Sequence, residues 1–226
     1  MSGSSNPFDS GEAEAAAYDA WYDAPSGRSV LEREQRCVIP LLEGAARPWL
    51  DLGTGSGRFG AAAGAELGLD PALALLRIAA RRIPSVVRGA AEALPFRAAS
   101  LGAVLCVAAF EFLPDADCAL REIARALRPG GRFVLGFFPR DSAWATFYEQ
   151  EGRDPASLFH GARFCSLEEW QQRAVAAGLT PGPVRSTLFE APGEPPSPRV
   201  VAGAEPGASF VATTLVKTGE DEGRHR

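Results

Sequence analysis

The stretch Asp51-Leu52-Gly53-Thr54-Gly55-Ser56-Gly57 constrains this chain more than any other. It grows out of a short apolar segment, 49–52, that reads as a strand. Glycines at such a point let the backbone turn sharply and approach a ligand closely, and the following helix presents free N–H groups there. Nineteen residues beyond Asp51, Asp70 closes a second strand, where an acid can accept both hydroxyls of a ribose. Pro71 is the expected first residue of the next helix, with Asp70 as its cap. Two other readings stay open. The glycines can make nothing more than a tight turn. Alternatively, Gly55-Ser56-Gly57-Arg58-Phe59-Gly60 fits the G-x-G-x-x-G dinucleotide fingerprint. That reading puts Asp70 only ten residues beyond Gly60, a short crossover. It also needs proton partners for hydride transfer, which a chain with one lysine, Lys217, and two histidines supplies poorly.

The remainder of the chain alternates between strand and helix patterns. Val30, Leu31, Glu34, Cys37, Val38, Leu41 and Leu42 fall at helical spacing, with Pro40 as a late kink. Val86 and Val87 mark a third strand, and 102–109 is continuously apolar, as in a central parallel strand buried on both faces. A helix after Asp117 presents Leu120, Ile123, Ala124 and Leu127, stops at Arg128-Pro129-Gly130-Gly131, and gives way to a strand over 133–138. Ser166 and Glu169 make a capping box for a helix burying Leu167, Trp170 and Ala174. Strands over 184–189 and 210–216 complete the set, with the Pro/Gly-rich stretch 191–208 expected as a surface loop. The pattern predicts an α/β fold, a doubly wound seven-stranded sheet, mostly parallel with one antiparallel strand. A single domain is expected over 15–218, with a helical lid at 15–45, between a disordered N-terminus (1–14) and a disordered tail (219–226).

Composition excludes several chemistries. A net charge of −5 argues against nucleic acid. There is no Gly-Lys-Ser/Thr phosphate loop and no central lysine for a Schiff base. Cys37, Cys106, Cys118 and Cys165 contain no C-x-x-C pair, and with only His160 and His225 beside them no metal site is expected. Free thiols and the absence of a recognisable leader suggest the cytoplasm, and the longest apolar run is far too short to span a membrane. A monomer or homodimer is expected.

The segments WLDLGTGSGRF, GLDP, GAAEALPF and LREIARALRPGGRFVLGF occur in that order within residues 18–190. Together they resemble the successive motifs of class I S-adenosylmethionine-dependent methyltransferases, in particular the small-molecule branch that includes the ubiquinone/menaquinone enzymes. The resemblance implies S-adenosylmethionine as cofactor and S-adenosylhomocysteine as product. It places Asp51, Gly53, Thr54, Gly55 and Gly57 at the methionine part, Asp70 and Pro71 at the ribose, and Ala91 and Glu92 at the adenine. Cys106, Val107 and Phe110 would form the floor near the sulfonium. Three positions depart from the family pattern: Ala90 and Gly102 stand where Asp is frequent, and Thr54 replaces a frequent Cys.

Methyl transfer needs alignment and exclusion of water more than a strong acid or base, which suits this sparse inventory. Aromatic side chains supply a dry wall and attract a cation. Tyr18, Trp21 and Tyr22 are therefore expected to close over the cofactor, with Trp144, Phe147 and Tyr148 opposite. Removing 1–14 alone is expected to matter little. Tyr18, Glu111 and His160 are the catalytic candidates, and Glu34, which interrupts an apolar helix face, is either an ion-pair partner or a group that orients an acceptor amine. The expected function is methyl transfer to a small molecule. A nicotinamide-dependent oxidoreductase and a non-catalytic S-adenosylmethionine-binding protein are the alternatives.

Overall fold

The computed structural model describes Phe8 and residues 11–219. Helix α1 (Glu12–Trp21) and helix α2 (Pro25–Val38) precede the sheet, and α2 runs into a 3-10 turn at Ile39–Leu42, where Pro40 prevents regular continuation. The order is then β1 (Trp49–Leu52), α3 (Arg58–Ala63), β2 (Leu67–Asp70), α4 (Leu73–Ala79), β3 (Ser85–Arg88) and β4 (Leu101–Val107). After a 3-10 turn at Phe110–Phe112 come α5 (Ala116–Ala126), β5 (Leu127–Phe137), α6 (Ala143–Glu151), α7 (Leu167–Ala176), β6 (Leu179–Thr187), β7 (Val200–Ala202) and β8 (Phe210–Lys217).

Eight strands form one sheet in the order β3-β2-β1-β4-β5-β8-β6-β7. Strands β1 to β5 are parallel, and β8 runs antiparallel between β5 and β6. The seven expected strands are all present. The eighth, β7, lies within the stretch read as a loop and pairs antiparallel with the end of β6 through Arg185–Thr187. All seven residues of β4 are buried, as a central strand covered on both faces requires. On one face Leu120 and Ile123 of α5 and Trp170 of α7 pack against Leu52, Val104 and Phe133; on the other, Cys37 and Val38 of α2 and Trp144 of α6 pack against Leu105 and Val134.

Several element boundaries differ from expectation, among them β6, which spans Leu179–Thr187 rather than 184–189. Helix α1 begins at Glu12, inside the stretch read as disordered, while residues 1–7, 9–10 and 220–226 lie outside the described residues. Helix α4 begins at Leu73 rather than Pro71, because Asp70 uses its carboxylate to tie two loops together instead of capping a helix. Helix α5 is capped by Asp115, which accepts from the Cys118 N–H at 2.9 Å. Strand β5 starts at Leu127, six residues early, with Gly130 in the left-handed region (φ 75°) and a register shift opposite Gly102 absorbing the Pro-Gly-Gly sequence. Gly102 itself has a steric reason. A Cβ there would lie 1.6 Å from the Ala46 carbonyl oxygen, so the approach to β1 leaves no room for an acid.

Candidate functional site

The strand order reverses between β1 and β4, which opens a crevice at the carboxyl ends of the parallel strands. A cavity of about 250 Å³ occupies it, reached by the ends of β1 (Leu52, Gly53), β2 (Leu69, Asp70) and β4 (Cys106, Val107). The glycine loop shapes its floor. Gly53, Gly55 and Gly57 all adopt left-handed backbone (φ 67°, 52° and 85°), which other residues enter at a cost. A Cβ on Gly53 would sit 2.6 Å from Cβ of Ala109, so the loop and the end of β4 approach as closely as they can. The N–H groups of Gly53 and Thr54 both donate to the Leu69 carbonyl, at 2.8 and 3.1 Å, pinning the loop to β2.

Two buried acids hold this loop in different ways. Asp51 faces inward, accepting from Thr54 Oγ1 at 2.6 Å and from the Gly60 N–H at 2.9 Å, and burial pushes its carboxyl up to about 7. It braces the loop from beneath and does not line the cavity. Gly60 lacks a side chain because a Cβ would meet Asp51 Oδ2 at 2.6 Å. The third glycine of the dinucleotide-like string therefore serves packing. Asp70 does line the cavity, although only 6% of it is exposed. Its two oxygens accept from the N–H groups of Gly55 and Ala72, both at 2.8 Å. A carboxylate has about four acceptor sites, so capacity remains for a pair of hydroxyls. Burial raises its pKa above the usual carboxylate value against those two bonds.

These residues fit the cofactor that the sequence resemblance implies: a glycine cradle for the amino-acid part, Asp70 for the ribose, and Ala90, Ala91 and Glu92 along the far wall. The carboxylate of Glu92 accepts from the Asp115 N–H at 3.2 Å.

One wall of the cavity, where a lid was expected, comes from α1 and the residue after it. Tyr18 and Tyr22 line the cavity, their hydroxyls 3.2 Å apart, and a Cβ on Gly55 would lie 3.8 Å from the Tyr18 ring. Asp19, on the same helix, is gripped by two arginines of the body. Arg58 Nε lies at 2.7 Å from its carboxylate, and both terminal nitrogens of Arg82 lie at 2.8 Å. Arg58 also binds Asp23 twice at 2.9 Å, and Arg82 reaches the Ser56 carbonyl at 2.7 Å. Partial burial would raise the Asp19 carboxyl, but the bonds from Arg82 and Arg58 prevail and hold it well below the usual range.

Several expected site residues fall elsewhere. Trp21 is 44% exposed, against the edge of Tyr22. Phe110 turns into the core, 5.5 Å from Trp170 and 5.4 Å from Phe133, and Gly57 packs on Ala79. Trp144 stacks on Phe138 and donates to the Glu190 carbonyl at 2.9 Å, and Phe147 is 39% exposed. His160 is a surface group 3.0 Å from the Gly152 carbonyl. Tyr148 is buried, stacked on Phe159 at 3.9 Å, and does not line the cavity, nor do the buried acids Glu34 and Glu111.

The walls that sequence reasoning missed are Arg58, Phe59, Phe112, Leu113, Pro114 and, from the segment read as dispensable, Phe8. Phe8 sets its ring edge-on to Tyr18 at 5.8 Å and to Phe112 at 5.0 Å, bridging the lid and the end of β4. Asp19 and Asp23 are four residues apart, a like-charge spacing that an opposite charge relieves, but nothing local names Arg58 or Arg82 as the partner.

Comparison with known proteins agrees with this geometry. A family model described as "Methyltransferase domain" matches residues 50–135. An uncharacterized protein of Mycobacterium tuberculosis is 38% identical over 205 residues, covering 90% of this chain and 72% of its own length. A demethylmenaquinone methyltransferase of Mycolicibacterium paratuberculosis is 36% identical over 115 residues, 50% of this chain and 47% of its own. Among solved structures, a Thermotoga maritima protein described as a SAM-dependent methyltransferase, possible histamine N-methyltransferase, superposes with a TM-score of 0.83 at 28% identity. It covers 92% of this chain and 97% of its own.

Proposed function

The chain belongs to the class I S-adenosylmethionine-dependent methyltransferases, and from that premise we propose that it methylates a small molecule by in-line displacement in a pocket closed by its N-terminal helix. S-adenosylmethionine, when bound, supplies an electrophilic methyl group on a sulfonium whose charge disappears on transfer. Gly53 and Gly55 supply a cradle close enough for backbone contact, Asp70 offers carboxylate oxygens to the ribose, and Ala91 lies along the base-binding wall. Tyr18, Tyr22, Phe8 and Phe112 exclude water from the acceptor side, which favours a reaction that neutralises charge.

The observation that carries the small-molecule reading is this enclosure: aromatic rings of α1 and of the turn after β4 meet over the loop and narrow the approach to the cofactor cavity. Such a chamber suits a compact acceptor better than a polymer. No helix among the described residues is long and apolar enough to cross a membrane, and the same reading puts the enzyme in the cytoplasm without a nucleic-acid partner.

Titration calorimetry with S-adenosylhomocysteine and NADH, followed by a methylation panel of small acceptors read by S-adenosylhomocysteine release, tests the proposal. Binding of the former alone, with turnover on a small acceptor, is expected. Saturation by NADH, or turnover only on protein or RNA, would overturn it.

A further inference from the structure

We propose that Arg82 is a positioning residue for the cofactor's amino-acid end: its guanidinium ties the Ser56 carbonyl of the glycine loop to Asp19 on α1, so that loop and lid are held as one unit. The proposal rests on the methyltransferase reading above and concerns how its cofactor site keeps its shape.

Ser56 stands between Gly55 and Gly57, is buried, and lines the cavity. The other N–H groups of the loop 53–57 are spent within the protein. Those of Gly53 and Thr54 go to the Leu69 carbonyl, that of Gly55 to Asp70, and that of Gly57 to the Thr54 carbonyl at 2.8 Å. The Ser56 N–H has no partner among the described residues, which leaves it as the loop's free donor for a bound carboxylate. Arg82 attaches to the carbonyl of the same residue. Its Nη1 lies 2.7 Å from that oxygen and 2.8 Å from Asp19 Oδ1, and its Nη2 lies 2.8 Å from Asp19 Oδ2. Arg82 itself belongs to a tight turn after α4, where the N–H groups of Arg82 and Ile83 both donate to the Ala79 carbonyl, at 2.8 and 2.9 Å. That turn backs the loop directly: a Cβ on Gly57 would meet Ala79 at 3.1 Å and Ile83 at 3.4 Å.

Fastening a helix to the body is the ordinary role of such an ion pair, and Arg58 already performs it through Asp19 and Asp23. The bond to the loop sets Arg82 apart. Glycines on either side give Ser56 more backbone freedom than an ordinary loop residue has. A fixed donor on its carbonyl removes that freedom before a ligand arrives, so less ordering is left to oppose binding. A planar guanidinium can serve three oxygens at once, whereas the ammonium of a lysine is a point charge without that fork. Because one group joins loop and α1, the effect runs both ways. A ligand that fixes the loop strengthens docking of α1 by the factor by which docking strengthens the ligand. The influence is greatest at the amino-acid end. The ribose acceptor Asp70 and the base wall at Ala91 stand on β2 and on the segment after β3, and Arg82 bonds to neither.

The test is calorimetry on the full chain with two probes, S-adenosylhomocysteine and 5′-methylthioadenosine, which lacks the amino-acid part. Arg82→Met keeps an aliphatic stem and removes all three bonds. It is expected to weaken S-adenosylhomocysteine about tenfold or more, the scale of a hydrogen bond to a charged group, and methylthioadenosine severalfold less. Arg82→Lys is expected to recover part of the loss, and it carries the comparison if the methionine variant does not fold. The role at the loop is separated from the role at the lid in the Asp19→Ala background, where Arg82 retains only the Ser56 carbonyl. There Arg82→Met is still expected to cost S-adenosylhomocysteine severalfold, and amide exchange of the Gly57 N–H in the unliganded protein is expected to quicken. An equal loss for both probes, or no further loss in the Asp19→Ala background, would overturn the proposal and leave Arg82 an anchor for α1 alone. Failure of the wild type to bind S-adenosylhomocysteine would instead remove the methyltransferase reading beneath it.

Discussion

Asp19→Ala removes the carboxylate through which the lid is held by Arg58 and Arg82. Three charge-assisted bonds disappear, but neither guanidinium is stranded. Arg58 keeps Asp23, and Arg82 keeps the Ser56 carbonyl. The Asp19 side chain is 15% exposed, so the loss falls between the roughly 0.2–1 kcal/mol of an exposed pair and the roughly 3–5 kcal/mol of a broken buried one. About 2 kcal/mol is the expected figure. That corresponds to about a thirtyfold shift from docked to undocked lid. Because Tyr18 and Tyr22 are walls of the cavity, S-adenosylhomocysteine affinity should fall by up to that factor. Calorimetry gives the affinity, and amide exchange within α1 reports the docking equilibrium. The Asp19 pKa is depressed in the native state, so the grip is fully present above the unfolded carboxylate value near 4 and is lost as pH falls through the folded one. Two results refute the reasoning: faster exchange in α1 with unchanged affinity, which uncouples lid from cofactor, or unchanged exchange, which leaves the ion pairs with no net contribution.

Asp70→Ala is expected to weaken S-adenosylhomocysteine binding by about 1.5–3 kcal/mol and also to lower stability, since the Gly55 and Ala72 N–H groups lose their acceptor; a loss in urea denaturation with unchanged affinity would reduce Asp70 to a loop tie. Phe8→Ala should raise the S-adenosylhomocysteine dissociation constant about three- to tenfold, because an edge-to-face ring pair contributes about 0.5–1.5 kcal/mol, and removal of residues 1–14 should do at least as much; full affinity in both would restore the view that this segment is dispensable. Glu34→Gln should flatten the pH dependence of stability. With the native carboxyl at about 8 and the unfolded one near 4.3, the native state binds more protons between those values, so wild-type stability falls as pH rises through the window. Urea denaturation at pH 5, 7 and 9 should find the variant the more stable by a few kcal/mol at pH 9, and parallel curves would sink the assignment.

The sheet was legible because its signals are local. The glycine turn follows its strand directly, Ser166 and Glu169 are three residues apart, and apolar runs are bounded by Gly and Pro. What escaped depends on side-chain direction or distant partners. Phe110 and Phe112 lie in a single 3-10 turn just past β4, too short for a helical stripe and outside the strand, so nothing local said that Phe110 would enter the core while Phe112 faced the cavity. Arg58 and Arg82 meet Asp19 from 39 and 63 positions away, a pairing that only the assembled fold creates. Strand β7 escaped because Pro and Gly surround three ladder residues, Val200–Ala202, within a stretch that otherwise reads as irregular. Glu34 was visible as a misplaced charge on an apolar face, but whether a cation answers it depends on Arg33 being occupied by Glu190.

The two margins of the sheet bear on how copies of this chain meet one another. An open edge offers unpaired N–H and C=O groups to any passing strand, and proteins blunt such edges with short strands, bulges and prolines. Strand β6 is nine residues long, yet β7 pairs with it only at Arg185–Thr187. The uncovered half carries Pro181 and Pro183, which have no N–H to donate, and the ladder shifts register between Pro181 and Val184. At the opposite margin β3 has four residues, ending at Arg88, a charge that resists stacking against its own copy. Both rims are therefore poor templates for a continuous intermolecular sheet. A second copy of this chain would meet at either rim only a short or proline-interrupted ladder.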